Sequence, residues 1–227
     1  MPQYKENDGT EKEYGRLDLQ NCDCMDLMAE YPDNHFELAI VDPPYFEKGG
    51  DPSYYRARVK GPKKKPITGD GWQIPGPKYF SELLRVSRRQ IIWGCSYYAK
   101  HIPHPGRIVW DKVNDGTPFS QCDLASYSEG VKLWLFRYKW NGMIQQDMKN
   151  KENRIHPTQK PISLYRWLLE NFAKPGNKIL DTHLGSGSIA IACYYMGFDL
   201  TGSELDADYY AAMMKRIQAE TAQMELF

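Results

Sequence analysis

Along this chain of 227 residues, short apolar runs alternate with segments whose apolar residues recur at helical spacing. The largely apolar runs Phe36–Val41 and Gln90–Trp93 predict strands buried on both faces. Shorter runs predict further strands over Arg16–Gln20, Arg107–Trp110, Lys132–Arg137, Lys178–Asp181 and Asp199–Ser203. Between them, the period predicts helices over Asp23–Tyr31, Lys78–Ser87, Ile162–Ala173, Ser188–Met196 and Asp206–Met224. Strands alternating with amphipathic helices predict an α/β fold: one mostly parallel sheet of seven strands, with helices on both faces. Two stretches break the pattern. Phe46–Pro77 is rich in Gly, Pro and Lys and has no period, and Tyr138–Arg154 is also irregular. The first is too long for an ordinary connector, which points to a functional or mobile segment.

The length suits one sizeable α/β core, so residues 1–227 are expected to form a single domain. The first fifteen residues are polar and charged, and no run of eighteen apolar residues occurs. The expectation is therefore a cytoplasmic protein with neither a secretory signal nor a membrane span. Five scattered cysteines suit free thiols in a reducing compartment, and no Cys or His spacing suggests a metal site. Basic and acidic side chains balance at 29 each, so any phosphate-binding surface must be local. The candidate is the irregular stretch, with Lys48, Arg56, Arg58, Lys60, Lys63, Lys64 and Lys65 interleaved with Tyr54, Tyr55 and Trp72. The bland reading is a solvated loop; its place directly after Tyr45 favours nucleic acid.

Residues 42–45 read Asp-Pro-Pro-Tyr, at the carboxyl end of the predicted strand Phe36–Val41. Paired prolines end a strand abruptly, because they lack the N–H and fix φ. Asp42 and Tyr45 are thereby held at the rim where open α/β sheets bind ligands. An acceptor beside a stacking face suits a planar base with an exocyclic amine; the bland alternative is a strand-ending turn.

A second strand end reads Asp181-Thr-His183-Leu-Gly185-Ser186-Gly187-Ser188 and runs into a predicted helix. A Gly-x-Gly turn at a helix start offers backbone N–H groups to a ligand. About twenty residues on, Glu204 ends the next strand, where an acid suits ribose hydroxyls. Alanine at the third glycine position, Ala190, keeps a Rossmann dehydrogenase open as an alternative. Between these motifs lies His156-Pro-Thr-Gln-Lys-Pro161, leading into the Ile162–Ala173 helix. By itself His156 reads as a satisfied core or surface histidine.

Together, these segments resemble the S-adenosylmethionine-dependent DNA amino-methyltransferases, in the permuted group whose catalytic motif precedes its cofactor motif. Asp42-Pro43-Pro44-Tyr45 matches the family's catalytic motif, and His156–Pro161 matches a segment that precedes the cofactor loop. The loop usually reads Asp-Pro-Phe-x-Gly-Ser-Gly; here Thr182 and His183 replace the Pro and Phe. The segment Gly94-Cys95-Ser96-Tyr97-Tyr98 resembles the family's Gly-Gly-Asn-Tyr, with Cys95 and Ser96 as departures.

The resemblance implies a Rossmann-like sheet in circularly permuted order. It also implies methyl transfer from S-adenosylmethionine to the N6 of a flipped adenine in double-stranded DNA, in a bacterial or phage context. Cytosine N4 is the alternative, and Asp at the first motif position favours adenine by family analogy. Catalysis falls to Asp42, Pro43, Pro44 and Tyr45. Cofactor contacts fall to Asp23, Asp42, His156, Thr158, Lys160, Asp181, His183, Gly185, Ser186, Gly187, Ser188, Glu204 and Leu205. DNA engagement is expected from insertions at 46–79 and about 111–154. Both are short, which suits a short recognition site or a homodimer. Arg56, Arg58, Asn114, Gln121, Asn141, Gln145 and Gln146 are the candidates for reading base edges. C5-type chemistry requires a nucleophilic cysteine after proline, and no Pro-Cys pair occurs. The remaining alternatives are an RNA or protein methyltransferase, whose motif order is usually reversed, and a non-catalytic nucleic-acid-binding relative.

Overall fold

The computed structural model describes residues 3–5, 11–45, 74–141 and 144–222. In chain order the strands are β1 (Gln3–Lys5), β2 (Glu11–Glu13), β3 (Leu17–Gln20), β4 (Leu38–Val41), β5 (Gln90–Trp93) and β6 (Gly106–Asp111). They continue as β7 (Cys122–Tyr127), β8 (Leu133–Arg137), β9 (Trp140–Asn141), β10 (Ile144–Gln145), β11 (Lys178–Asp181) and β12 (Asp199–Ser203). The helices are α1 (Cys24–Ala29), α2 (Pro77–Val86), α3 (Ile162–Phe172), α4 (Ser188–Met196) and α5 (Ala207–Ala222).

The main sheet has eight strands in the order β3-β12-β11-β4-β5-β7-β6-β8. Every neighbouring pair is parallel except the two made by β7, which runs antiparallel to β5 and to β6. The expectation of a mostly parallel sheet holds, with one strand more than the seven foreseen. The extra strand is β7, Cys-Asp-Leu-Ala-Ser-Tyr, which carries polar residues on both faces and so shows no alternation. Its place between β5 and β6, which satisfies its backbone on both sides, makes it a strand. The short antiparallel pairs β1–β2 and β9–β10 also lay outside the expected elements.

Side chains of the central strands divide cleanly between the two faces, as the pleat requires. Leu38, Ile40, Ile91, Trp93 and Ile179 face a core shared with α3 and α4, while Ala39, Val41, Ile92 and Leu180 face α1 and α2. Helix α2 buries Tyr79, Phe80, Leu83 and Val86, one stripe at helical spacing; α3 likewise buries Leu164, Tyr165, Leu168, Leu169 and Phe172. Each such side chain contributes about 1.5–3 kcal/mol of burial. Helix α4 is apolar almost all round, because it is sandwiched; its residues from Ser188 to Cys193 are buried.

This topology places the site. From β4 the chain proceeds through α2 to β5 on one side, whereas from β11 it proceeds through α4 to β12 on the other. Since β4 and β11 are neighbours, the sheet reverses its strand order between them. The carboxyl ends of strands at such a switch point open a crevice. Asp42 follows β4 directly and Asp181 ends β11, so both motifs converge there.

Candidate active site

A cavity of about 480 Å³ occupies the crevice, within the roughly 300–1,000 Å³ usual for small-molecule sites. Its walls join Asp42, Pro43, Pro44 and Tyr45 with Asp23, His156, Thr158, Lys160, His183, Gly185, Ser186, Glu204 and Leu205. Of the expected cofactor residues, Asp181, Gly187 and Ser188 do not border it. Lys48, Arg56, Arg58, Lys60, Lys63, Lys64 and Lys65 lie outside the described residues.

On the β4 side, the two prolines leave carbonyls that no regular ladder uses. The buried Tyr98 hydroxyl, just beyond β5, reaches both, at 2.9 Å from the Pro43 oxygen and 2.5 Å from that of Pro44. Burial, then the charge of Asp42, pushes the Tyr98 phenol up, so it remains a donor. A carbonyl has two lone pairs, so Pro43 keeps acceptor capacity for a ligand. Tyr45 stacks on Tyr97, with ring centroids 4.9 Å apart and planes 13° from parallel. Gly94 makes room for this: its φ is +69°, and a Cβ there would lie 2.5 Å from the Tyr45 ring.

Asp42 is ion-paired through Oδ2 with the ammonium of Lys160, while its Oδ1 is buried and has no hydrogen-bond partner. Burial raises its carboxyl above the ordinary range, and Lys160 opposes that rise. Lys160 thus meets the Asp42 carboxylate directly, a contact that spacing in the sequence does not reveal.

On the β11 side, Asp181 works from behind the wall. It accepts the His183 N–H at 3.0 Å, fixing the turn into the glycine loop. Thr182 Oγ1 lies 2.7 Å from the Tyr79 hydroxyl and 2.9 Å from His183 Nδ1, so polar groups replace the Pro-Phe packing of the family pattern. Glu204 braces the loop: its Oε2 accepts the Gly185 N–H at 2.8 Å and its Oε1 the Asp206 N–H at 3.0 Å. The Leu205 N–H also bonds this carboxylate, which keeps acceptor capacity on one oxygen at the cavity wall. At the neighbouring strand end, Asp23 caps α1 by accepting the Met25 N–H at 2.7 Å.

The His156–Pro161 segment closes the third side. His156 Nδ1 lies 3.1 Å from Thr158 Oγ1, and the ring packs edge-on to Tyr209 at 4.5 Å. Gln159 clamps the turn, with its Oε1 accepting from Ile155 N and its Nε2 donating to the Asn153 carbonyl. Tyr79, Tyr165, Cys22, Cys24 and Met25 also line the cavity, and sequence reasoning did not single them out. Tyr79 and Tyr165 fall on helix stripes that read simply as core. Their one available signal is the hydroxyl, which needs a partner when buried.

Two of the proposed base readers are committed inside the protein. Gln145, 3% exposed, binds the backbone of Glu152 through both ends of its amide. Asn114, 5% exposed, donates to the Ser120 carbonyl. Neither presents its side chain to a groove, whereas Gln121 is exposed.

Titration follows from this burial. Desolvation pushes Asp181 up from 3.8 to about 8 and His183 down from 6.5 to about 4. Folded Asp181 holds its proton more tightly than the unfolded chain does, so its contribution is complete below pH 3.8 and lost as pH rises to about 8. Folded His183 holds its proton less tightly, so its contribution is present above pH 6.5 and lost as pH falls toward 4. Above pH 6.5, of these two groups only Asp181 still titrates. Denaturant melts of the cofactor-free protein should therefore lose stability from pH 6.5 to 8, by at most about 1.4 kcal/mol per unit. Asp181→Asn should flatten that slope. An unchanged slope in the variant would show that Asp181 is ionised throughout.

Among the described residues no cluster suits a metal ion, and no helix is long and apolar enough to cross a membrane. Comparison with known proteins bears on the family and the fold. YubD of Escherichia coli (strain K12) is 24% identical over 217 residues, covering 89% of this chain and 91% of its own. The type II methyltransferase M2.MboI of Moraxella bovis is 22% identical over 231 residues, covering 85% of this chain and 84% of its own. Among solved structures, PvuII DNA methyltransferase (cytosine-N4-specific) superposes with a TM-score of 0.59 at 12% identity, covering 92% of each chain. The M1.HpyAVI–SAM complex superposes at 0.57 and 18%, covering 88% of this chain and 99% of that one. At these identities the structures speak for the fold. The DNA methylase profile (N6_N4_Mtase) matches residues 92–215, more than half of the chain, and spans the His156 segment, the glycine loop and Glu204. The fold and that match agree: this chain belongs to the N6/N4 DNA methylase family.

Proposed function

We propose that this DNA methylase transfers the methyl group of S-adenosylmethionine to the exocyclic N6 of an adenine flipped out of double-stranded DNA. One observation carries the reading: a single cavity joins the Asp42–Tyr45 motif to the glycine loop, Glu204 and Asp23. The residues present fit the cofactor. Glu204 keeps acceptor capacity at the cavity wall for a ribose hydroxyl, and Asp23 stands at the next strand end as an acceptor for an adenine amine. Gly185 and Ser186 offer close backbone approach, and His183, Leu205, His156 and Thr158 complete the wall. Asp181, Gly187 and Ser188 shape the loop from behind. When bound, S-adenosylmethionine supplies an electrophilic methyl group on a sulfonium centre.

The chain's own residues do the rest. An exocyclic amine is a poor nucleophile, because its lone pair is delocalised into the ring. Asp42 Oδ1 accepts one N–H and the Pro43 carbonyl the other, which favours a tetrahedral nitrogen and stabilises its developing positive charge. Pro44 keeps the strand end rigid. Tyr45, backed by Tyr97, offers a stacking face to a base that has left the duplex, worth about 1–3 kcal/mol. Asp at position 42 favours adenine by family analogy.

The test is incubation with labelled S-adenosylmethionine and unmodified genomic DNA, followed by nucleoside analysis. N6-methyladenine is the expected product. N4-methylcytosine would reassign the base, and no label in DNA would refute the activity. Lys48, Arg56, Arg58, Lys60 and Lys63–Lys65 are proposed to hold the DNA backbone. Neutralising Lys63, Lys64 and Lys65 should weaken binding and flatten its salt dependence, by about 0.9 in log–log slope for each phosphate no longer neutralised. An unchanged slope would make that run a solvated loop.

A further inference from the structure

We propose that Lys160 is a positioning residue for the catalytic step: it clamps one oxygen of Asp42 and presents the other, still anionic, to the amine of the target base. This rests on the methyltransferase reading above, and it takes Lys160 out of the set of cofactor ligands.

The two side chains lie 118 positions apart along the chain. Asp42 follows β4, whereas Lys160 sits in the turn before α3. Lys160 is 4% exposed, and its ammonium pairs with Asp42 Oδ2 and lies 5.3 Å from the centre of the Trp93 ring. A buried ammonium needs a partner, and Asp42 is the ion-pair partner it has. The pairing also settles which carboxylate oxygen is left. A free carboxylate turns about its Cβ–Cγ bond; with Oδ2 held, Oδ1 is the remaining acceptor, and it is buried without a partner. A buried, unsatisfied acceptor on a residue that borders the cavity is costly unless something else satisfies it.

The second consequence is electrostatic. The amine can donate only to an unprotonated oxygen, and burial favours the protonated acid. The charged and titratable groups facing Asp42 are Lys160 from the turn before α3, Lys112 and Asp123 around β6 and β7, and Asp181 at the end of β11. Tyr98 beyond β5 and Tyr165 on α3 join them among the described residues. Lys160 exerts the largest opposing influence on the effect of burial, whereas Lys112 and Asp123 pair with each other at 2.6 Å.

Methyl transfer would be measured against pH for the parent, Lys160→Met and Lys160→Arg. Cofactor affinity would be followed by calorimetry, and melts would be recorded without cofactor or DNA. Lys160→Met should move the acid limb of kcat upward by about 1–3 pH units, with the missing rate returning at alkaline pH. Lys160→Arg should restore the limb, and affinity for S-adenosylmethionine should be unchanged in both. Adding Asp42→Asn should raise the melting temperature of Lys160→Met, because it removes the stranded carboxylate; in the parent the same change should lower it. If Lys160→Met does not fold, the Asp42→Asn double variant still reads the coupling. A pH profile that does not move, a loss confined to cofactor affinity, or additive melts would overturn the proposal. A parent that transfers no methyl group would instead refute the function, while the melts would still report on the pair.

Discussion

Asp42→Ala is expected to abolish methyl transfer while affinity for S-adenosylmethionine stays near that of the parent. The change removes the acceptor that stabilises positive charge developing on the amine, a contribution of about 10²–10³ in rate for one oriented group. It also strands the buried ammonium of Lys160. Breaking a buried pair from one side costs about 3–5 kcal/mol, so the melting temperature should fall with the activity. Asp42→Asn separates the effects, since it keeps the shape and an uncharged oxygen. If single-turnover experiments on cofactor-saturated, folded Asp42→Ala showed the parent's rate, Asp42 would have no part in the chemistry.

Arg216→Met should be the most damaging single change outside residues 42–45. From α5, the guanidinium donates to the Ser186 carbonyl at 2.8 Å, to Ser188 Oγ at 2.9 Å and to Glu152 Oε2 at 2.8 Å. Glu152 in turn accepts the Ile162 N–H at the start of α3 through Oε1 at 2.9 Å. One side chain thereby ties the glycine loop to two helices. Arg216 is 7% exposed, and burial raises the Glu152 carboxyl despite the opposing charge of Arg216. Removing the cation leaves that carboxylate uncompensated, at about 3–5 kcal/mol. For a chain of this size each kcal/mol lowers Tm by about 2–4 °C, so a fall of roughly 6–20 °C is expected in calorimetry. Adding Glu152→Gln should recover part of it, because residues in one network do not add. A Tm within a degree or two of the parent's would mean that the pair contributes nothing net.

The parts legible in the sequence share a cause: they depend on neighbours close along the chain. Apolar runs such as Phe36–Val41 and Gln90–Trp93 mark buried strands by themselves, and the stripe Tyr79, Phe80, Leu83, Val86 marks a helix by itself. Strand β7 did not announce itself, since Asp123 and Ser126 interrupt both of its faces and its hydrogen bonds come from β5 and β6. Gln145 and Asn114 misled for a related reason. A polar residue in an irregular stretch looks exposed until the backbone groups it satisfies are known.

By itself, the sequence determined the α/β class and most of the strands and helices. It also singled out the motifs on which the proposed chemistry rests: a carboxylate, two prolines and a ring at 42–45, the glycine loop at 185–187, and an acid at 204. These are local properties, written in residue type and spacing. Only the tertiary structure decided that the motifs meet, because β4 and β11 become neighbours through a sheet order that no local pattern encodes. It also decided how they divide the work. Lys160 reaches Asp42 across 118 positions, Tyr98 reaches the proline carbonyls across 55 and 54, and Arg216 reaches Ser186 across 30. Buried charges and carbonyls must find partners wherever the fold brings them, and that search is settled in space rather than along the chain.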